Sequence, residues 1–263
     1  IYWTSVTKEP KEHLRDIVRR IAPKAFRRPV TDAEIESFVS LAKPHHPKDQ
    51  PMHKMVRAPL RAMFSSPQFL FHRANPGPLN DYALATRLSY FLWKSAPDQQ
   101  LHRLAGKGSL KEPIVLTGQV ERMLSDPRAG RFINDFLDGW LQLREIDATT
   151  PDEKLYPEFD DQLRQAMLAE TRLFFRELLD RNLGVRHFIK SDFTFLNRRL
   201  ARHYGIDGVA GEKMRLVDLP EDSVRGGLMT QASILKVTAN GTLTSPVKRG
   251  NFVLTSLLGT PSN

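Results

Sequence analysis

Apolar residues recur at intervals of three and four along most of the chain, the spacing that gathers them on one side of an α-helix. Beyond Pro10, the positions Leu14, Ile17, Val18 and Ile21 keep that interval and predict an amphipathic helix with a proline near its start. An Arg-Arg-Pro break follows. Thr31-Asp32-Ala33-Glu34 then reads as a capping box opening a second helix, whose stripe is Ile35, Phe38, Val39 and Ala42. The string KPHHPKDQP, with three prolines in nine residues, predicts a surface loop. A third helix is expected from about Met52 to Phe64, kinked or delayed by Pro59. The aromatic-rich Ser65 to His72 reads as an extended or short helical piece wedged into a core.

Asn80 is a good cap for a helix from Asp81 to Trp93, with Leu84, Leu88, Phe91 and Leu92 on one face and Tyr82, Ala85 and Ser89 on its flank. Shorter helices follow Pro97, Pro113 and Asp126-Pro127, the last carrying Phe132, Phe136, Trp140 and Leu143. The clearest element runs from Asp160 to Asn182 without Gly or Pro, with Leu163, Met167, Phe174 and Leu178 along one side. Next come a short apolar turn at Val185 to Ile189, the aromatic pair Phe193 and Phe195, and a helix through Leu196 to Tyr204 closed by Gly205. Arg215 to Leu219 is the one segment that reads as a strand. Gly227 to Leu235 and Pro246 to Leu258 predict two more helices, the last with Ser245 as cap and Gly259 beyond its end. The expected fold class is all-α, a multi-helix array with little or no sheet.

Length and charge narrow the functional classes. The 263 residues suffice for one large domain or two small ones. The surplus of 39 basic over 30 acidic residues, a net charge of +9, is scattered in ones and twos, so no nucleic-acid partner is expected. The absence of cysteine excludes disulfides, thiolate metal sites and haem attachment within this stretch. No apolar run approaches the roughly 18 residues of a membrane-spanning helix, and the first residues lack a signal-peptide layout. Beginning without a methionine or a leader and stopping just after Gly259-Thr260-Pro261, the chain reads as a fragment of a longer protein. No G-x-S-x-G, P-loop, dinucleotide-binding glycine pattern or H-E-x-x-H occurs.

Several ordered strings carry a resemblance: RRPVTDAEIESFVSLA at 27–42, SSPQFLFHR at 65–73, LNDYALATRLSYFLW at 79–93 and LYPEFDDQLRQAMLAET at 155–171. SDFTFLNRRLARHYGI at 191–206, RGGLMTQASILKVTANGTLTSPVKRGNFVL at 225–254 and LLGTP at 257–261 complete the set. Together they resemble the planctomycete domains of unknown function that accompany secreted cytochrome c modules, the PSD and PSCyt series. The resemblance implies an exported multidomain protein in which LLGTP opens onto a linker and a haem-binding module. The chain departs from that pattern by ending at Asn263 with no cysteine. The expected organisation is a small helical unit at 1–72, a main helical domain at 79–235, and at 236–263 the start of a truncated cytochrome-type-associated module. The implied location is extracytoplasmic, periplasmic or secreted. The implied partner is the cytochrome-type domain of the same parent chain. Haem c is implied in that longer protein, and no cofactor is expected in this chain.

The most suggestive polar segment is the stretch from Thr238 to Gly250. Asn240-Gly241 supplies a turn, Thr242, Thr244 and Ser245 present hydroxyls, and Lys248 and Arg249 oppose the helix dipole unless an anion compensates them. Asn240, Thr242, Ser245, Lys248 and Arg249 are thus the candidate ligand-binding residues, for a ligand or a carboxylate of a neighbouring module. The plainer reading is a turn and cap with solvated cations. His45, His46 and His53 lie in or beside a proline-rich loop and lack ligand spacing, so no metal site is expected. Glu158, Asp160 and Asp161 fit a helix start better than an acid–base pair. The aromatics Phe69, Phe71, Tyr90, Phe91, Trp93, Phe136, Trp140, Phe174 and Phe175 fit core packing better than a cofactor pocket. No catalytic residue emerges. The expected function is a non-catalytic helical scaffold or interaction module of an exported cytochrome-c-type protein, associated with electron transfer. The alternative is part of an oxidative or hydrolytic enzyme whose site lies at the junction with a haem module.

Overall fold

The three- and four-residue spacing is realised as helix nearly throughout. The computed structural model describes residues 10–42, 52–72 and 76–260. Among them are twelve α-helices and a single two-stranded antiparallel sheet, a predominantly helical fold. The chain divides into two compact units, Ile1–Ala129 and Gly130–Asn263. The string HRANPGPLN at 72–80, which separates the expected 1–72 and 79–235 regions, lies within the first unit and in part outside the described residues.

The first unit contains α1 (Pro10–Phe26), α2 (Asp32–Ser40), α3 (Met52–Ser65), α4 (Pro67–Leu70), α5 (Asp81–Trp93), α6 (Gln99–Gly106) and α7 (Pro113–Leu124). The Thr31–Glu34 capping box forms in full at the start of α2. Leu14, Val18, Ala22, Ile35, Val39 and Met63 close a core between α1, α2 and α3. Each large apolar side chain so buried contributes about 1.5–3 kcal/mol.

Two expectations in this unit are corrected. The segment 65–72 forms the short helix α4 and packs Phe69 against the core as expected, but Leu70 and Phe71 are 59% and 63% exposed, so it is wedged in only in part. Its other role is polar. Arg27, one residue beyond α1 with φ 57°, is buried and donates to the carbonyl oxygens of Gln68, Phe69 and Phe71 at 2.9–3.1 Å. Those carbonyls, at the end of the short α4, have no helical partners of their own. In α5 the buried face is Ala85, Thr86, Ser89, Leu92 and Trp93, while Phe91 is exposed. Trp93, fully buried with its indole N–H on Met123 O at 3.0 Å, decides which way the helix turns, and small Ala85 and Ser89 let neighbours approach.

The second unit contains α8 (Gly130–Trp140), α9 (Asp161–Asp180), β1 (Phe193–Leu196), α10 (Arg198–Tyr204), β2 (Arg215–Asp218), α11 (Ala232–Val237) and α12 (Pro246–Phe252). A wider π-helical turn, Val253–Leu257, continues α12. The twenty residues of α9 span about 30 Å, and α8, α10, α11 and β1 all pack along it. Leu163, Met167, Leu196, Leu200 and Ala232 form one core cluster there. The expected strand at 215–219 is present as β2. Its partner β1, with Phe193 opposite Asp218 and Leu196 opposite Arg215, corrects the reading of 193–196 as no more than an aromatic pair. Of the aromatics read as core, Trp93 and Phe174 are fully buried, whereas Phe71, Phe91 and Phe136 are exposed to solvent. No helix among the described residues is long and apolar enough to cross a membrane.

Candidate functional site

A cleft of about 390 Å³ in the second unit is built from segments that each have a local reason to be where they are. Asp160 caps α9 by accepting from Leu163 N at 2.7 Å, which fixes Phe159, Leu163 and Met167 as one apolar wall. Leu235 of α11 and Leu243 extend that wall. Arg225 is held by the two glycines that follow it. Gly226 (φ 140°) and Gly227 (φ 81°) run so close to the chain at 188–191 that a Cβ would meet Ser191 O at 2.4 Å or Ile189 O at 2.5 Å. Only glycine fits either position.

The far rim is the turn 238–245. Asn240 Oδ1 accepts from Thr242 N and Leu243 N at 3.1 and 2.7 Å, and Ala239 pairs with Thr244 across it. Gly241 (φ 95°) lies where a Cβ would meet Thr150 O at 2.5 Å. The carbonyls of Gly241 and Thr242 accept from Asp152 N and Tyr156 Oη, both at 3.0 Å, so the turn is bonded to the loop before α9.

Three cations line the cleft, and none forms an ion pair among the described residues. Arg225 donates from Nη1 to Thr230 O at 2.8 Å, its guanidinium carbon 3.5 Å from the Tyr204 ring centre. Lys236 donates to the carbonyl oxygens of Ile146 and Thr149. Burial holds its ammonium below the usual lysine range, opposed by Asp147. Arg249 donates to Thr244 Oγ1 at 2.7 Å and to Thr238 Oγ1 at 3.4 Å. Neutral oxygens thus orient all three charges without cancelling them. The one carboxylate on the cleft, Glu158, lies 3.5 Å from His203, whose imidazole burial holds below its usual range despite that neighbour.

Under the floor sits Glu170, on the buried face of α9. It accepts from Thr194 Oγ1 at 2.7 Å and from Tyr204 Oη, which in turn accepts from Ala232 N at 2.7 Å. Burial pushes its carboxyl up to about 7, against the hydrogen bonds of Tyr204 and Thr194 and the charge of Arg225. Tyr204 is raised well above its ordinary value by burial and by the carboxyl beside it.

Of the five residues singled out from the sequence, Arg249 lines the cleft. Asn240 closes the turn, Thr242 bonds to Asn240 Oδ1, and Ser245 caps α12 by accepting from Lys248 N at 3.2 Å. Lys248 points to solvent outside the cleft. Sequence reasoning missed Arg225, Lys236, Tyr204 and Glu170. The available signal was Arg225-Gly226-Gly227, since paired glycines outside a helix mark a backbone that holds its neighbour in place. His45 and His46 lie outside the described residues, as does the His53 side chain. Among the described residues no cluster of His, Asp or Glu could hold a metal ion. Asp160 caps α9 and meets Arg199, while Asp161 pairs with Arg164 at 2.6 Å, the roles expected at a helix start.

Three family models match the chain, each described as a protein of unknown function: PSD5 (DUF1595) over 13–73, PSD4 (DUF1592) over 79–206 and PSCyt3 (DUF1588) over 225–263. No curated protein and no solved structure matches it.

Proposed function

Because the chain belongs to the planctomycete PSD/PSCyt series of cytochrome-c-associated domains, we propose that it is a non-catalytic helical scaffold, docking a cytochrome-type domain of the same parent protein outside the cytoplasm in support of electron transfer. One observation carries this reading: the outward face of the last helix is apolar. Val247, Leu254 and Leu258, spaced seven and four residues apart, are 82%, 39% and 63% exposed. Phe252 on the opposite face is buried, and the indole N–H of Trp140 donates to Ser256 O at 2.6 Å. The helix is therefore seated by one side and offers oil on the other. An apolar helical stripe rimmed by a cation such as Lys248 is the surface a partner domain covers. Haem c is bound through cysteine thioethers, and a chain without cysteine does not fit it; the haem belongs to the partner.

Sedimentation of the chain mixed with the cytochrome-type module of its parent protein tests the proposal. A one-to-one complex is expected, weakened roughly tenfold or more by Val247→Asp with Leu254→Asp. Independent sedimentation of the two native proteins would overturn the reading.

A further inference from the structure

The cleft has no part in that docking, because Val247, Leu254 and Leu258 do not line it. We infer that it is a binding site for a small organic acid, an apolar body carrying one carboxylate. Its volume of about 390 Å³ falls within the roughly 300–1,000 Å³ of small-molecule clefts.

Charge selects the head group. Arg225, Lys236 and Arg249 come from three separate segments and converge on one space. All three are anchored by neutral oxygens, and Glu158, the single carboxylate on the cleft, is already beside His203. A cationic space of this kind is completed by an anion brought from outside. Each cation has also committed donors to protein oxygens, which leaves room for one compact acceptor rather than a ring of phosphate contacts. Among the described residues, only Nη1 of the Arg225 guanidinium is hydrogen-bonded, so its remaining edge is open to the paired oxygens of a carboxylate.

The wall selects the body. Phe159, Leu163, Met167 and Leu235 line the same space as the cations, the Phe159 ring centre 5.2 Å from Lys236 Nζ. Leu243 stands at the rim, 69% exposed, on a turn that three hydrogen bonds hold in place. An apolar side chain held there is covered when a ligand lies beneath it. A bare inorganic anion would leave this surface wet, and a neutral hydrocarbon would leave the open edge of Arg225 without an acceptor.

Calorimetric titration of the full chain with 4-phenylbutyrate, 4-phenylbutyramide and inorganic phosphate tests the inference without any substitution. The acid is expected to bind at least roughly tenfold more tightly than its amide, more weakly at high salt, and more tightly than phosphate. Arg249→Gln, with its helical content checked by circular dichroism, is expected to lower the affinity for the acid by a further order of magnitude or so. Equal binding of acid and amide, binding of phosphate as tight as that of the acid, or no binding of the acid would each overturn the assignment. None of these outcomes touches the docking surface, so the two proposals fail separately.

Discussion

The two units each bury one charge-bearing side chain among the described residues, Arg27 in the first and Glu170 in the second, and they solve the problem in opposite ways. An arginine cannot shed its charge, so the fold must surround it with acceptors, and three backbone carbonyls at the end of α4 do so. A glutamate can take up a proton. Two hydroxyl donors are enough for Glu170, and burial brings its carboxyl to about 7. The lesson is that burial depth alone does not say how a unit responds to pH. The first unit has fixed its buried charge by geometry, while the second has left its own to the solvent's acidity.

The comparison can be broken most severely at Arg27. Arg27→Met removes a buried guanidinium and leaves the carbonyls of Gln68, Phe69 and Phe71 without their donor, and is expected to cost about 4 kcal/mol in urea unfolding, at any pH between 5 and 8. A loss below about 1 kcal/mol would mean that water replaces the guanidinium. At Glu170 the expected effect is slightly smaller and depends on pH. Its folded pKa of about 7 lies above the ordinary 4.5, so between those values the folded state holds a proton that the unfolded chain has lost. The stabilisation is complete below pH 4.5 and disappears as pH rises through about 7, a fall of about 3 kcal/mol at 1.36 kcal/mol per unit. Glu170→Gln should flatten that slope in amide hydrogen exchange of α9, and an unchanged slope would place the titrating group elsewhere. The mildest change sharpens the contrast. Thr194→Val removes one donor from the carboxylate, so the midpoint of the pH dependence should move above that of the native chain, with a loss of about 1 kcal/mol at neutral pH. A midpoint that moves down instead would reverse the role assigned to the hydroxyl.

Features set by neighbours in sequence were legible. The caps at Thr31, Asn80, Asp160 and Ser245 need only the next three residues, and all four accept the expected backbone N–H. The long stripe of α9 was legible for the same reason, since Leu163, Met167, Phe174 and Leu178 follow one another around one helix and all are buried. Its polar interior was not. Glu170 is buried because Thr194 and Tyr204, 24 and 34 residues further on, return to meet it. The orientation of α5 failed because residue type alone ranks Phe91 with the core, whereas the pocket made for Trp93 settles the rotation. β1 failed because its partner lies across α10 and nothing local announces it. The turn at 240–245 was read correctly as a turn. That Arg249 shares a cleft with Arg225 and Lys236 depends on where α9 and α11 pack, which no spacing encodes.

Trp140 carries a consequence for α12 and the turn that continues it. Its indole is tied to Ser256, 116 residues later, and its ring lies against Phe136, Phe175 and Phe188. A fluorescent side chain is therefore tied to the turn that continues α12. Stretching the Trp140–Ser256 bond would change the polarity around this indole, one of three in the chain, so its share of the emission would report on the turn at Val253–Leu257.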